Sequence, residues 1–209
     1  MSLLNKVPFL AVLGLLLALA PYLASSAPAP VTSPANKAVG SLKCSLAASG
    51  TLKLVPARAG SNSTALGLSN AGTSDVRLLN RFNNKEAHAS VEFLQCSDSS
   101  FLGYKSTDKK KYGHIQVKAN GECLVGQDGD NASSTFLTHP GRRCSLSDDS
   151  GQLFQTWSFE RGAHGSPVIK YVRHRKGDSF AGNQFSYSFT PHGSVIGQQR
   201  GNDGSHLSF

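Results

Sequence analysis

Gly113-His114-Ile115, Asn120-Gly121-Glu122-Cys123-Leu124, Arg143-Cys144 and Gln155-Thr156-Trp157-Ser158-Phe159 follow one another in that order across residues 113 to 159. His114-Ile115-Gln116-Val117 alternates apolar and polar side chains, the period of a strand with one face in a core and one in water. The same alternation recurs outward in both directions. It is seen in Thr51-Leu52-Lys53-Leu54, in Val76-Arg77-Leu78-Leu79 and in Phe185-Ser186-Tyr187-Ser188-Phe189. Gly, Asn, Asp and Ser separate these runs, and helical periodicity is hard to find after the first thirty residues. Many short strands joined by turns predict an all-β fold.

The opening and closing of the central stretch are found twice more. Gly50 is followed by Leu52 and Leu54, as Gly113 is followed by Ile115 and Val117. Val91-Glu92-Phe93, Trp157-Ser158-Phe159 and Leu207-Ser208-Phe209 each close on a bulky residue, a spacer and Phe. Counted back from the last of these, Gly165 opens a third copy, with Val168 and Ile169 after it. The Gly-to-bulky spacings are 41 (50 to 91), 44 (113 to 157) and 42 (165 to 207). Three copies of about four strands each predict a pseudo-threefold β-trefoil, a barrel with a hairpin cap, which leaves no free sheet edge.

The N-terminus has the layout of a secretory signal peptide. Lys6 is followed by an uncharged, leucine-rich run from Val7 to Ala20, then Pro21 and the small residues Ala24-Ser25-Ser26. That pattern predicts a signal peptide over 1–26 with cleavage after Ser26, and a secreted, extracellular product. Pro21 cuts the run short of the roughly 20 apolar residues that a membrane span needs, so no span is expected. Residues 27–39 begin Ala-Pro-Ala-Pro and form a proline-rich leader, leaving 40–209 as one domain.

Four cysteines behind a signal peptide, Cys44, Cys96, Cys123 and Cys144, predict two disulfides with three possible connectivities. There is no CxxC, and the histidines are not at ligand spacing, so neither a metal nor a cofactor is expected. Two N-glycosylation sequons start at Asn62 and Asn131. The formal net charge of +8 favours anionic partners. The basic residues gather loosely at Lys105 with Lys109 to Lys111, at Arg142-Arg143 and at Arg173 to Lys176. Charge alone leaves acidic glycans, phospholipid headgroups and nucleic acid open.

The stretch from 113 to 159 resembles one repeat of the ricin B-type lectins. Their repeat runs Gly-x-Ile, a turn, Cys-Leu, a second Cys and a closing Gln-x-Trp. The resemblance implies a β-trefoil built on the signature residues Gln155, Trp157 and Phe159, with Trp157 in the core and Gln155 bracing a neighbouring turn. It implies a Cys123–Cys144 disulfide, which leaves Cys44 to pair with Cys96. It also implies a carbohydrate-binding module, but one with an altered or degenerate sugar site. The resemblance narrows the expected partners to glycans or glycoconjugates, including anionic ones, with an extracellular protein as the alternative and no nucleic acid. Where that family has an Asp after Cys-Leu, an aromatic two places before the second Cys and an Asn before the Gln, this chain has Val125, Arg142 and Phe154. The corresponding places in the first copy hold Leu79 and His88.

Asp128 and Asp130, in the loop after Cys123, are candidate replacements for the missing acceptor, and Tyr112, beside Lys111, is a candidate stacking residue. No Gly-x-Ser-x-Gly elbow and no His-Glu-x-x-His occurs, so the expected activity is binding rather than catalysis. A β-trefoil protease inhibitor or a secreted protein-interaction effector is the alternative function, because loops on such a rigid barrel vary freely.

Overall fold

A computed structural model describes residues 40–57, 61–70, 76–83, 87–128, 133–162, 165–178, 185–199 and 204–209. The expected signal peptide and proline-rich leader lie outside the described residues. The domain is all-β. Its strands are β1 (Cys44–Thr51), β2 (Lys53–Val55), β3 (Thr64–Asn70), β4 (Arg77–Arg81), β5 (Ser90–Cys96), β6 (Lys110–Val117), β7 (Val125–Asp128), β8 (Ser133–Thr138), β9 (Trp157–Arg161), β10 (Pro167–Tyr171), β11 (Ser186–Phe189), β12 (Val195–Gln198) and β13 (His206–Ser208). One helix of a single turn, α1 (Gln152–Gln155), precedes β9. Among the described residues no helix is long and apolar enough to cross a membrane.

All the strand pairings are antiparallel. The order along the sheet is β1-β5-β6-β9-β10-β13-β2, then β3-β4-β8-β12-β11, with β7 also on β8. Only Leu52 separates β1 from β2, so the first part of this path leaves one stretch of chain and returns to its continuation. Leu52 bridges both sides, its N–H donating to Ala89 O and its own O accepting from Leu66 N–H. Three hairpin pairs, β3–β4, β7–β8 and β11–β12, carry the other ladders, and β8 joins them by pairing with β4 and β12.

The glycines that open two of the sequence copies have a plain role in these ladders. Gly50 faces Val91 across β1–β5, and Gly113 faces Trp157 across β6–β9. A Cβ on Gly113 would lie 1.9 Å from the Leu94 carbonyl oxygen, so no side chain fits there. The third expected opening is misplaced. Gly165 sits in a turn at φ +78° before β10. The residue that faces Leu207 is instead Ile169. Gly165 therefore does not face the closing Leu207 as Gly50 faces Val91 and Gly113 faces Trp157.

Alternation on the strands sends one face inward: Val91 and Phe93 on β5, Ile115 and Val117 on β6, and Ile169 and Tyr171 on β10 are all buried. Phe136 packs on Trp157 at 5.1 Å, Tyr171 at 5.5 Å and Tyr187 at 5.7 Å between ring centroids. Burying such a ring stabilises by roughly 1.5–3 kcal/mol. The polar ends of these rings are all satisfied. Trp157 Nε1–H donates to Leu124 O at 3.2 Å, Tyr171 Oη donates to Leu153 O at 2.6 Å, and Tyr187 Oη accepts from Tyr171 N–H at 2.6 Å. Tyr171 thereby ties β10 to α1 and, since a Cβ on Gly126 would lie 2.4 Å from its Cζ, also seats β7 closely.

Candidate functional site

The structure bonds Cys44 to Cys96 and Cys123 to Cys144. The second bond joins the chain entering β7 to the segment that follows β8. Several further contacts fix that segment. Cys123 N–H donates to Arg142 O at 3.0 Å, and Arg142 N–H to His139 O at 3.1 Å. Gln155 clamps it from α1: its Oε1 accepts from Ser145 N–H at 2.9 Å and its Nε2 donates to Ser145 O at 3.1 Å. The buried Glu122 accepts from Gly141 N–H and from Arg77, both at 3.1 Å. A turn with no regular structure is thus held at both ends by backbone-directed bonds, as a loop that positions side chains needs to be.

Between β7, this turn and α1 lies a cleft of about 370 Å³. Val125 and Gln127 line it from β7, His139, Arg142 and Arg143 from the turn, and Phe154 from α1. Val125, Arg142 and Phe154, dispersed over thirty positions of sequence, therefore converge on one surface. Phe154 is 45% exposed, one of three large apolar side chains left open to solvent among the described residues. Arg142 and Arg143 are exposed, and the ion pairs among the described residues, Arg77–Glu122 and Lys110–Glu160, involve neither. Among the described residues that line the cleft, none carries a carboxylate.

The other candidates are placed elsewhere. Tyr112 stacks on Tyr104 at 5.0 Å, and Lys110 Nζ lies 5.7 Å from its ring, so its faces are occupied outside the cleft. Burial raises the pKa of both phenols. Asp128 ends β7 in register with Ser134, while Asp130 and Asn131 lie outside the described residues. Asn62 is exposed just before β3. Phe159 stacks between Phe93 and Phe209, at 5.1 Å and 6.0 Å. In the first copy Leu79 is fully buried and His88 stacks on Phe82 at 3.7 Å, so neither position forms a matching cleft.

One cluster was invisible to spacing. The ligand atoms of Cys44, Cys96 and His114 all lie within 4.8 Å of one another, with both sulfurs engaged in the disulfide. Gln152 fixes the imidazole. Its Nε2 donates to Ser145 O and Ser147 O, so its Oε1 must accept, and it takes His114 Nε2–H at 2.8 Å. His114 Nδ1 therefore turns its lone pair to the sulfurs, 3.6 Å from Cys96 Sγ. Burial lowers the His114 pKa, partly opposed by the Gln152 bond. The β5–β6 register, which pairs Leu94 with His114, brings this histidine to Cys96, 18 residues away in sequence, and no short motif encodes that.

No family model, no curated protein and no solved structure matches this chain.

Proposed function

We propose that the chain is a secreted carbohydrate-binding module, a β-trefoil of the ricin B-type lectin kind, whose sugar site is rebuilt in the cleft between β7, the 139–145 turn and α1. The observation that carries this reading is the meeting of Val125, Arg142 and Phe154 in one cleft. These are the positions where the resemblance implies the sugar contacts, and they line an open concavity within the 300–1,000 Å³ range of small-ligand sites.

The strand pairings support the trefoil part of the reading. With β1 and β2 taken as one bent strand, the chain divides into three successive groups of four: β1/β2 to β5, β6 to β9 and β10 to β13. Each group contributes two strands to the first path and one hairpin to the second. Gly50–Val91, Gly113–Trp157 and Ile169–Leu207 then occupy matching ladder positions in the three groups. Secretion is supported by the Lys6 to Ser26 pattern and by two disulfides with no free cysteine among the described residues.

A glycan array probed at physiological salt with the secreted protein tests the reading. Saturable binding to a restricted set of glycans is the expected result, weakened at least tenfold by Phe154→Ala, which removes an exposed ring without touching the core. An array that stays silent, with the protein folded, refutes it and favours a protein partner.

A further inference from the structure

Resting on the reading that this cleft takes a glycan, we infer that the sugar it takes is acidic, with a carboxylate or a sulfate received by Arg142 and Arg143. The donor and acceptor inventory of the lining carries the inference. A neutral sugar presents hydroxyls that donate as well as accept, so a site for one needs acceptors, from backbone carbonyls and, for a specific orientation, from side chains. Val125 offers none. The Gln155 amide is spent on both sides by Ser145. Among the described residues, Gln127 and the Ser145 hydroxyl remain as the side-chain acceptors of the lining besides the His139 ring. Against them stand two guanidiniums, each with five N–H donors and no ion-pair partner among the described residues. A surface so rich in donors is matched by a group that only accepts, and an oxyanion on a sugar is such a group.

The guanidiniums also have fixed roots. Arg142 is held through both its N–H and its carbonyl, and Arg143 adjoins the disulfide at Cys144, with its guanidinium Nε near Gly121. Among the described residues, Glu122 Oε1 accepts from Arg77 and from Gly141 N–H, and Asp149 accepts from Gly151 N–H. Phe154 supplies an apolar ring for the C–H face of a pyranose beside this charge. Carboxylate and sulfate share the chemistry that the arginines recognise, and planar carboxylate suits the bidentate fork of one guanidinium.

Paired probes separate the possibilities: lactose against 3′-sialyllactose and against 6-sulfo-lactose, titrated calorimetrically into the full secreted protein at 0.15 M salt. The expected result is binding at least tenfold tighter for an acidic member than for lactose. Arg142→Gln with Arg143→Gln should erase that difference, with an unchanged melting curve since both residues are exposed. Which acidic probe prevails assigns carboxylate or sulfate. Lactose binding as tightly as its acidic partners, unaffected by the arginine variant, overturns the inference and leaves the glycan-binding reading intact. Binding of no probe and of no glycan on the array sinks both. Acidic binding that survives the arginine variant but vanishes at about 0.5 M salt overturns the cleft assignment, because it then arises from the basic loops elsewhere.

Discussion

Trp157 is the largest fully buried side chain among the described residues, and its removal has a cost that follows from its surroundings. Its side chain is fully buried, between Phe136 at 5.1 Å and Tyr171 at 5.2 Å, and its indole N–H satisfies the Leu124 carbonyl. Truncating a buried Trp to Ala costs about 3–5 kcal/mol in lost transfer energy and residual cavity. The orphaned Leu124 carbonyl adds about 1–3 kcal/mol where water cannot reach it. Trp157→Ala should thus lose about 4–8 kcal/mol, comparable to the whole stability of a domain this size at about 5–15 kcal/mol. Trp157→Phe refills much of the space but still drops the hydrogen bond, so it should fall between Ala and the parent. Urea unfolding followed by far-UV circular dichroism is the assay, because the chain has one Trp and the variants remove that fluorophore. A Trp157→Ala midpoint within experimental error of the parent, at an unchanged m-value, would refute the buried-core role and point to an exposed indole.

Gly113→Ala should prevent folding to the native ladder, since its Cβ would meet a backbone carbonyl at 1.9 Å, whereas Gly141→Ala, with nothing within 4 Å, should cost only the roughly 1–2 kcal/mol of its left-handed backbone; thermal melts of the two compare them directly. Replacing both members of the Cys44–Cys96 pair, which spans 52 residues, should cost about 4 kcal/mol against about 3 kcal/mol for the 21-residue Cys123–Cys144 loop; equal losses in denaturant titration would count against the loop-entropy account. His114 titrates below its ordinary 6.5 in the folded state because it is buried, so its contribution is complete above that unfolded value and erodes as pH falls from there toward the lowered folded value. Between pH 7 and 5 the unfolding midpoint should therefore drop in the parent and drop less in His114→Gln; a parent midpoint that rises over that window would reverse the sign and defeat the assignment.

The strands were legible because alternation is written locally. Leu52, Leu54, Ile115 and Val117 read as inward-facing residues from sequence, and all four are buried. Trp157 was legible for a similar reason, being the one side chain large enough to fill such a centre. The third expected opening was not, because the feature searched for was glycine. Glycine at positions 50 and 113 reflects a close approach of neighbouring chain, with a Cβ on Gly50 lying 2.7 Å from Phe209. Across from Leu207 stands Ile169, so a search for glycine finds nothing there. The His114 cluster was hidden because its three residues meet only through the β1–β5–β6 register. Tyr112 looked available from its neighbours in sequence, but Tyr104 covers it from a loop the sequence could not fold.

The cleft was half legible, and the reason bears on what it does. Val125, Arg142 and Phe154 each read as a lost contact when set one at a time against a neutral-sugar site. Together they have a different sense: the acceptor is gone, a cation stands in the turn, and an apolar ring remains open to solvent. The supports of the loop are meanwhile complete. Gln155 holds Ser145 through two hydrogen bonds, the Cys123–Cys144 bond spans the cleft's base, and Glu122 anchors Gly141. A turn released from all use would need no such precise restraint at its rim, since exposed turns close adequately on backbone bonds alone. Exposed arginines on an unrestrained loop also lose side-chain and backbone entropy on meeting a ligand, and the braces lower that cost by fixing the backbone beforehand. The cleft thus has a hydrogen-bonded rim carrying positive charge beside an open ring, and this is the arrangement on which the proposal of an acidic sugar rests.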